Sequence, residues 1–300
     1  MRSGRPTEPA EAPSLTFRDP QERRGILLIA GAALLWSTAG IGIKAIDDPP
    51  LKVVFFRSLV AAVALLLHFR PRLRRLTPGL VAGLVCYVAC LITFVTATKW
   101  TTSANAIFLQ YSGVVWVLLL SPVVLKEPLR ARDAAAIAVA FAGMALFFLG
   151  GFDPRGRAGD LIALLSGLFF AGLILALRRE RGVAAEALVA WGSVLTAAVA
   201  FPFVAGDLSL TPKSAIAYLL LGVFQLAGAY ALFVRGIRHV SATEASLVGM
   251  LEPIANPIWV LLFLGERPAA TSVIGGAIVL AAIAWRTLTG SPPDPVPPPD

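Results

Sequence analysis

Glu252 stands directly before Pro253 in an apolar run, Leu251 to Leu264, that holds no other charge. A carboxyl in such surroundings can meet a cation or a substrate amine, or it can carry a proton. It can also stay neutral and satisfy backbone groups freed where Pro253 and Pro257 interrupt a helix. The first two roles make it a substrate ligand and a proton-coupling candidate; the third is structural. The residue types leave these roles open. Asn256 follows one turn on, on the same face, and extends either role. Arg57, in a second apolar run, can bind an anionic group, pair with a buried acid such as Glu252, or snorkel to the interface. Gln110 and Tyr111 in a third run suit cavity lining or interhelical hydrogen bonds. Trp36, Tyr87 and Gln225 are further candidate ligands, as are Thr38, Thr93, Trp116 and Tyr230, although Trp and Tyr also populate the interface belt.

Enzyme chemistry finds little support. An intramembrane serine protease needs a Ser–His pair, yet neither His68 nor His239 is placed to reach Ser166. The crossings hold no HExxH or paired-aspartate pattern. A phosphate-binding glycine loop is absent too, which speaks against an ATP-driven pump. Cys86 and Cys90 share a helical face but have no further Cys or His for a metal, so they read as small packing residues. Neither metal nor cofactor is expected. A channel would need a filter-like loop, and a scaffold would not need buried Glu, Arg and Gln.

The elements that position these residues follow from composition. Apolar residues make up 57% and charged residues 15%, against roughly 45–50% apolar in a soluble domain. Lipid is the alternative solvent, and it requires about 20 apolar residues per helical crossing. Ten crossings are expected, near 26–46, 51–69, 79–98, 103–124, 133–150, 160–178, 184–205, 214–235, 243–264 and 270–288. Residues 1–24 read as a polar cytoplasmic tail without a signal-peptide core. Residues 289–300, with six prolines, read as a disordered tail. The +8 charge does not point to nucleic acid, because basic residues alternate in density from loop to loop. About fifteen fall on the side of Arg70, Lys126, Arg178 and Arg235, and about seven on the side of Lys44, Lys52, Lys99 and Lys213. The richer side is cytoplasmic by the positive-inside rule, which places both termini inside. The expected address is a plasma membrane or a bacterial inner membrane.

The crossings repeat. At an offset of 139, Ala106 matches Ala245, Leu125 matches Leu264, Glu127 matches Glu266 and Ala138 matches Ala277. At an offset of 134, Gly25 matches Gly159, Leu34 matches Leu168 and Lys44 matches Arg178. Five crossings per copy invert the second copy in the bilayer, the ground plan of many secondary transporters. Each half carries a short loop, a crossing and a Glu-containing turn. One reads from Thr98-Lys99-Trp100 to Leu125-Lys126-Glu127-Pro128, and the other from Arg238-His239-Val240 through Leu251-Glu252-Pro253 to Leu264-Gly265-Glu266-Arg267-Pro268. Over residues 25–288 this pattern, with Arg57 and Trp36, resembles the EamA repeat of the drug/metabolite transporter superfamily. One departure is visible: Val114 stands where the repeat usually has a Pro, the position of Pro253 in the second half.

The resemblance implies an all-α membrane protein of ten transmembrane helices, built as two inverted five-helix repeats at 25–150 and 159–288. It implies a central cavity lined by the first four helices of each half. The fifth and tenth helices lie outside, often near a dimer contact, so a homodimer is a possible partner state. Gly143, Gly275 and Gly276 allow close helix approach, within the bundle or between protomers. Glu127 and Glu266 read as caps of the helices that follow them. The expected function is a secondary transporter that moves a small metabolite by alternating access, exporting an amino acid or similar solute. An uncoupled facilitator or exchanger is the alternative, and an intramembrane enzyme the remote one. Repeat alignment sets Glu252 opposite Gln110 and Tyr111.

Overall fold

In the computed structural model, residues 20–71, 76–124, 131–146, 154–179, 184–236, 239 and 248–289 are described, and among them there is no strand. The chain runs through α1 (Pro20–Ser37), α2 (Ala39–Lys44), α3 (Pro50–Phe69) and α4 (Pro78–Trp100). It continues through α5 (Ser103–Gln110), α6 (Gly113–Val124) and α7 (Ala131–Ala145). The second half holds α8 (Pro154–Arg179), α9 (Ala184–Ala200) and α10 (Pro212–Leu220). A π-helical stretch, Leu221–Gly228, joins α10 to α11 (Ala229–Gly236). Then come α12 (Leu251–Leu264) and α13 (Ala270–Thr289). Helix α1 starts at Pro20, inside the segment expected as tail. Both distal tails, Glu127 and the Ser241–Ala245 motif lie outside the described residues.

Among the described residues, six helical spans are long and apolar enough to cross a membrane: Arg23–Lys44, Pro50–Phe69, Pro78–Trp100, Gly156–Ala176, Ala185–Phe203 and Pro212–Gly236. Shorter apolar helices accompany them at Ala134–Ala145, Leu251–Leu264 and Ala270–Trp285. The outward surface is apolar. Leu27, Leu67, Ile216, Phe224, Leu262 and Phe263 are each more than half exposed, a surface that suits lipid rather than water.

Local chemistry sets the helix starts. Pro sits in the first turn of α3, α4 and α10, where its missing N–H costs nothing. Thr77, Thr102 and Thr211 accept hydrogen bonds from the Leu80, Asn105 and Ser214 amides, each at 3.1 Å; such caps contribute about 1 kcal/mol apiece. Helices α3 and α12 both end on a left-handed residue, Arg70 at φ 48° and Gly265 at φ 68°. Glycine takes that conformation freely and arginine does not. Replacing Arg70 with Gly should therefore raise stability by about 0.5–1 kcal/mol. Thermal unfolding in detergent reads this directly, and a lower melting temperature would contradict it.

Helix α4 lies along α8, α3 along α9 and the π-helical stretch, α1 along α11 and α12, and α7 along α13. Small residues make the close approaches. Gly83 faces Leu188 and Ala176, and Gly172 faces the Cys86 thiol. Gly143 packs on Ile278 and the Gly275 carbonyl, and Gly276 on the Phe108 ring. Gly143 and Gly276, on α7 and α13, are thus used in packing within the chain.

Candidate functional site

The crossing expected at 103–124 is divided. Helix α5 ends at Gln110 and α6 resumes at Gly113. Between them the Tyr111 amide donates to Ile107 and the Ser112 amide to Leu109, each at 3.1 Å. Tyr111 has φ −64° and ψ −9°. Met250, its counterpart by the repeat offset, precedes α12 with φ −63° and ψ −11°. The chain bends alike at the matching place in both halves, although only the second has Pro253. Close packing surrounds the first bend. A Cβ on Gly167 of α8 would come within 2.3 Å of the Ser112 hydroxyl and 2.8 Å of the Gln110 carbonyl.

Glu252 opens α12. The Tyr111 hydroxyl donates to the Gly249 carbonyl at 2.8 Å and lies 3.2 Å from Glu252 Oε2. The expected pairing of Glu252 with Tyr111 is therefore present. Gln110 departs from it, because its Nε2 donates to Ser166 Oγ at 2.9 Å and approaches Cys90 Sγ at 3.6 Å. It ties α5 to α8 and α4 instead of facing Glu252. Asn256 is fully buried, and its Oδ1 accepts from the Ser103 hydroxyl at 2.6 Å. It joins α12 to the start of α5.

Aromatic rings cluster around Tyr230. Trp36 meets Tyr230 and Phe233 with ring centroids 5.2 Å apart in each case, and Tyr87 meets Tyr230 at 5.8 Å. The Tyr87 hydroxyl bonds Ser193 Oγ at 2.9 Å. Arg57 is 2% exposed, which excludes snorkelling. Its electrostatic neighbours are Tyr87, Tyr230 and Cys90, and it makes no ion pair among the described residues, so of its alternatives the pairing with Glu252 is not formed. Tyr230 lies within electrostatic reach of both Arg57 and Glu252. Gln225, on the π-helical stretch, is also buried. Tyr230 stands among the further candidate ligands of the sequence, and its hydroxyl in the middle of an apolar segment is the signal.

One end of the bundle is joined by polar contacts between the halves. Lys44 pairs with Glu266 at 2.8 Å and donates to the Thr101 carbonyl at 2.7 Å. Glu266 Oε1 accepts the Ser103 amide at 2.6 Å. It caps α5 in the other half, not the helix that follows it, because the fold brings the α5 start closer. Asp160 Oδ1 accepts from Thr101 at 2.6 Å and Asn105 at 2.9 Å, and Ser272 donates to Asn105 at 2.6 Å. Lys52 pairs with Asp48 at 3.2 Å and Asp207 at 2.9 Å, and Tyr218 donates to Asp48 at 2.5 Å. At the opposite end Arg235 meets His68 at 2.8 Å. A cavity of about 540 Å³ opens near Lys52, Thr96, Trp100 and Phe203. Its charged pair, Lys52 and Asp207, is satisfied internally, so this cavity is not where the candidate ligands converge.

The Ser209 hydroxyl and the Lys52 ammonium hold the Asp207 carboxylate down at about 2. A depressed value means that the contribution is complete above the ordinary Asp value of about 3.9 and fades only as pH falls through about 2. Hydrogen exchange in residues 204–209, corrected for its intrinsic pH dependence, should therefore stay constant from pH 8 to 5. A rise near pH 6 would contradict this assignment.

Comparison with known proteins adds a separate line. The model of the EamA-like transporter family matches residues 23–149 and again 157–288. An uncharacterized transporter of Archaeoglobus fulgidus is 25% identical over 286 residues, covering 87% of this chain and 96% of that protein. The pseudopaline exporter CntI of Pseudomonas aeruginosa is 26% identical over 271 residues, covering 87% and 94%. Another relative, the uncharacterized transporter YwfM of Bacillus subtilis, is 28% identical over 276 residues, covering 86% and 91%. A solved crystal structure shares the fold with a TM-score of 0.65 at 20% identity, covering 89% of this chain and 96% of its own.

Proposed function

Because the chain belongs to the EamA-like transporter family, we propose that it is a secondary carrier that exports an amino acid or similar small metabolite by alternating access. Members of this family are transporters, not enzymes, and the chain is a multi-span membrane protein. The observation that carries the proposal is the Tyr111–Glu252 contact, made where a helix bends at matching positions of the two halves. Interrupted helices at membrane depth present polar groups and backbone ends to a solute. The ligand set is Glu252 and Tyr111, with Trp36, Tyr87, Arg57 and Gln225 around them. Gln110 and Asn256 position α5 and α12.

The packing supports an inverted repeat. Exchanging the halves turns the α4–α8 contact into the α11–α1 contact, while α3–α9 and α7–α13 map onto themselves. The Lys44–Lys52 end is the outer one by the basic-residue asymmetry, so the halves are joined outside. The termini then lie in the cytoplasm. One relative is named as an exporter, which favours export over uptake.

Counterflow in proteoliposomes, with a panel of amino acids, sugars, nucleosides and polyamines, tests the reading. Exchange of at least one panel class, dependent on folded protein, is expected. No exchange by any class would overturn it.

A further inference from the structure

Arg57 is a charge that the described residues do not complete with an ion pair. It sits in the third turn of α3, and its Nε and Nη1 are buried without a hydrogen-bond partner. The groups around it, the Tyr87 and Tyr230 hydroxyls and the Cys90 thiol, include no carboxylate. A structural arginine at such depth ordinarily has its acid within the protein, because an uncompensated buried charge is strongly destabilising. A second orphan lies on the element packed against α3. Gln225 is 4% exposed, and its Oε1 has no partner. It belongs to the π-helical stretch, a form that recurs at functional sites. That stretch comes so close to α3 that a Cβ on Gly222 would meet the Arg57 carbonyl at 2.9 Å and Val60 at 2.5 Å.

The two orphans ask for different things. The guanidinium edge is a set of donors aimed at a planar acceptor with two oxygens. The Gln225 oxygen needs a donor. We propose that Arg57 is the seat of the solute's carboxylate and that Gln225 accepts from a donor close to it, so that the substrate class is small acids with a neighbouring amine or hydroxyl, such as α-amino and α-hydroxy acids. This rests on the transporter reading above. Glu252, which is not among the groups around Arg57, then faces the remainder of the solute and is not needed to hold its carboxylate.

The test uses the full-length protein in proteoliposomes. The probes are α-amino acids, lactate and malate, each beside its own amide, with sugars, nucleosides and polyamines as the outgroup. The exchanging probes should be acids, and their amides should be at least ~10-fold weaker, as expected for losing charge-assisted hydrogen bonds. Arg57→Met should abolish acid exchange while leaving the melting temperature in detergent unchanged or higher, because it removes an unpaired buried charge. Arg57→Lys should keep part of the acid preference, and Gln225→Leu should weaken the acids that carry a neighbouring amine or hydroxyl but not propionate, which carries neither. Exchange confined to sugars, nucleosides or polyamines would overturn the substrate class and leave the carrier standing. Equal exchange of acid and amide would do the same. No exchange by any probe would overturn the carrier reading and this one with it. A fall in melting temperature for Arg57→Met, with acid preference intact in Arg57→Lys and Gln225→Leu, would assign Arg57 to the scaffold.

Discussion

Glu252→Gln should lower counterflow by roughly 10- to 100-fold, the range expected when a charge-assisted interaction of about 1.5–3 kcal/mol is lost. Glutamine keeps the size of the side chain and an oxygen that can face the Tyr111 hydroxyl, now 3.2 Å from Oε2. The bend before α12 is therefore preserved, and the loss reports the carboxyl itself. Tyr111→Phe tests the structural side of the contact. It removes the donor to the Gly249 carbonyl, a 2.8 Å bond, and should cost about 1–2 kcal/mol of stability. If the parent's exchange rate varies with pH and the Gln variant's does not, Glu252 carries the coupled proton. A parent rate independent of pH marks a facilitator. Unchanged uptake together with unchanged pH dependence in Glu252→Gln would remove the residue from the mechanism.

Gly40→Val should be the most disruptive single change at the joined end. The added Cβ would lie 2.0 Å from Ser103 Oγ, 2.5 Å from Asn256 Oδ1 and 3.0 Å from Val260. It would strike the Ser103–Asn256 hydrogen bond, so α2 must move away from α5 and α12. Lys44, one turn further along α2, would move with it and leave Glu266. Overpacking plus a broken buried hydrogen bond costs about 2–4 kcal/mol. Hydrogen exchange in residues 101–106 should rise, and the melting temperature should fall. Gly249→Ala is the control, since a Cβ there meets nothing within 4 Å. Equal stability of the two variants would contradict this account of the α2 contact.

The helical spans and the doubling were legible because lipid demands long apolar segments and because the offsets of 139 and 134 survive in the residues. The Glu252–Tyr111 contact was legible for the same reason, since alignment sets Tyr111 beside Met250, two residues before Glu252. The bend at Tyr111 was not. No proline marks it, and the residue packed against it, Gly167, belongs to a helix that follows much later in the chain. The partner of Glu266 was hidden likewise, because Ser103 and Lys44 lie in the other half. Whether Arg57 snorkels, pairs or stands alone depends on the three-dimensional arrangement of α3, α4 and α11.

The polar contacts between the halves at the Lys44–Lys52 end have a kinetic consequence. Under alternating access, solute on that side can bind only the fraction of carriers whose end has parted, and its apparent dissociation constant is divided by that fraction. If the contacts together favour the joined state by about 2.8 kcal/mol, roughly one carrier in a hundred is receptive there. Solute on the other side bears no such penalty. The carrier would then show unequal apparent affinities on its two faces with an identical binding site, and no coupling ion would be needed to produce the difference.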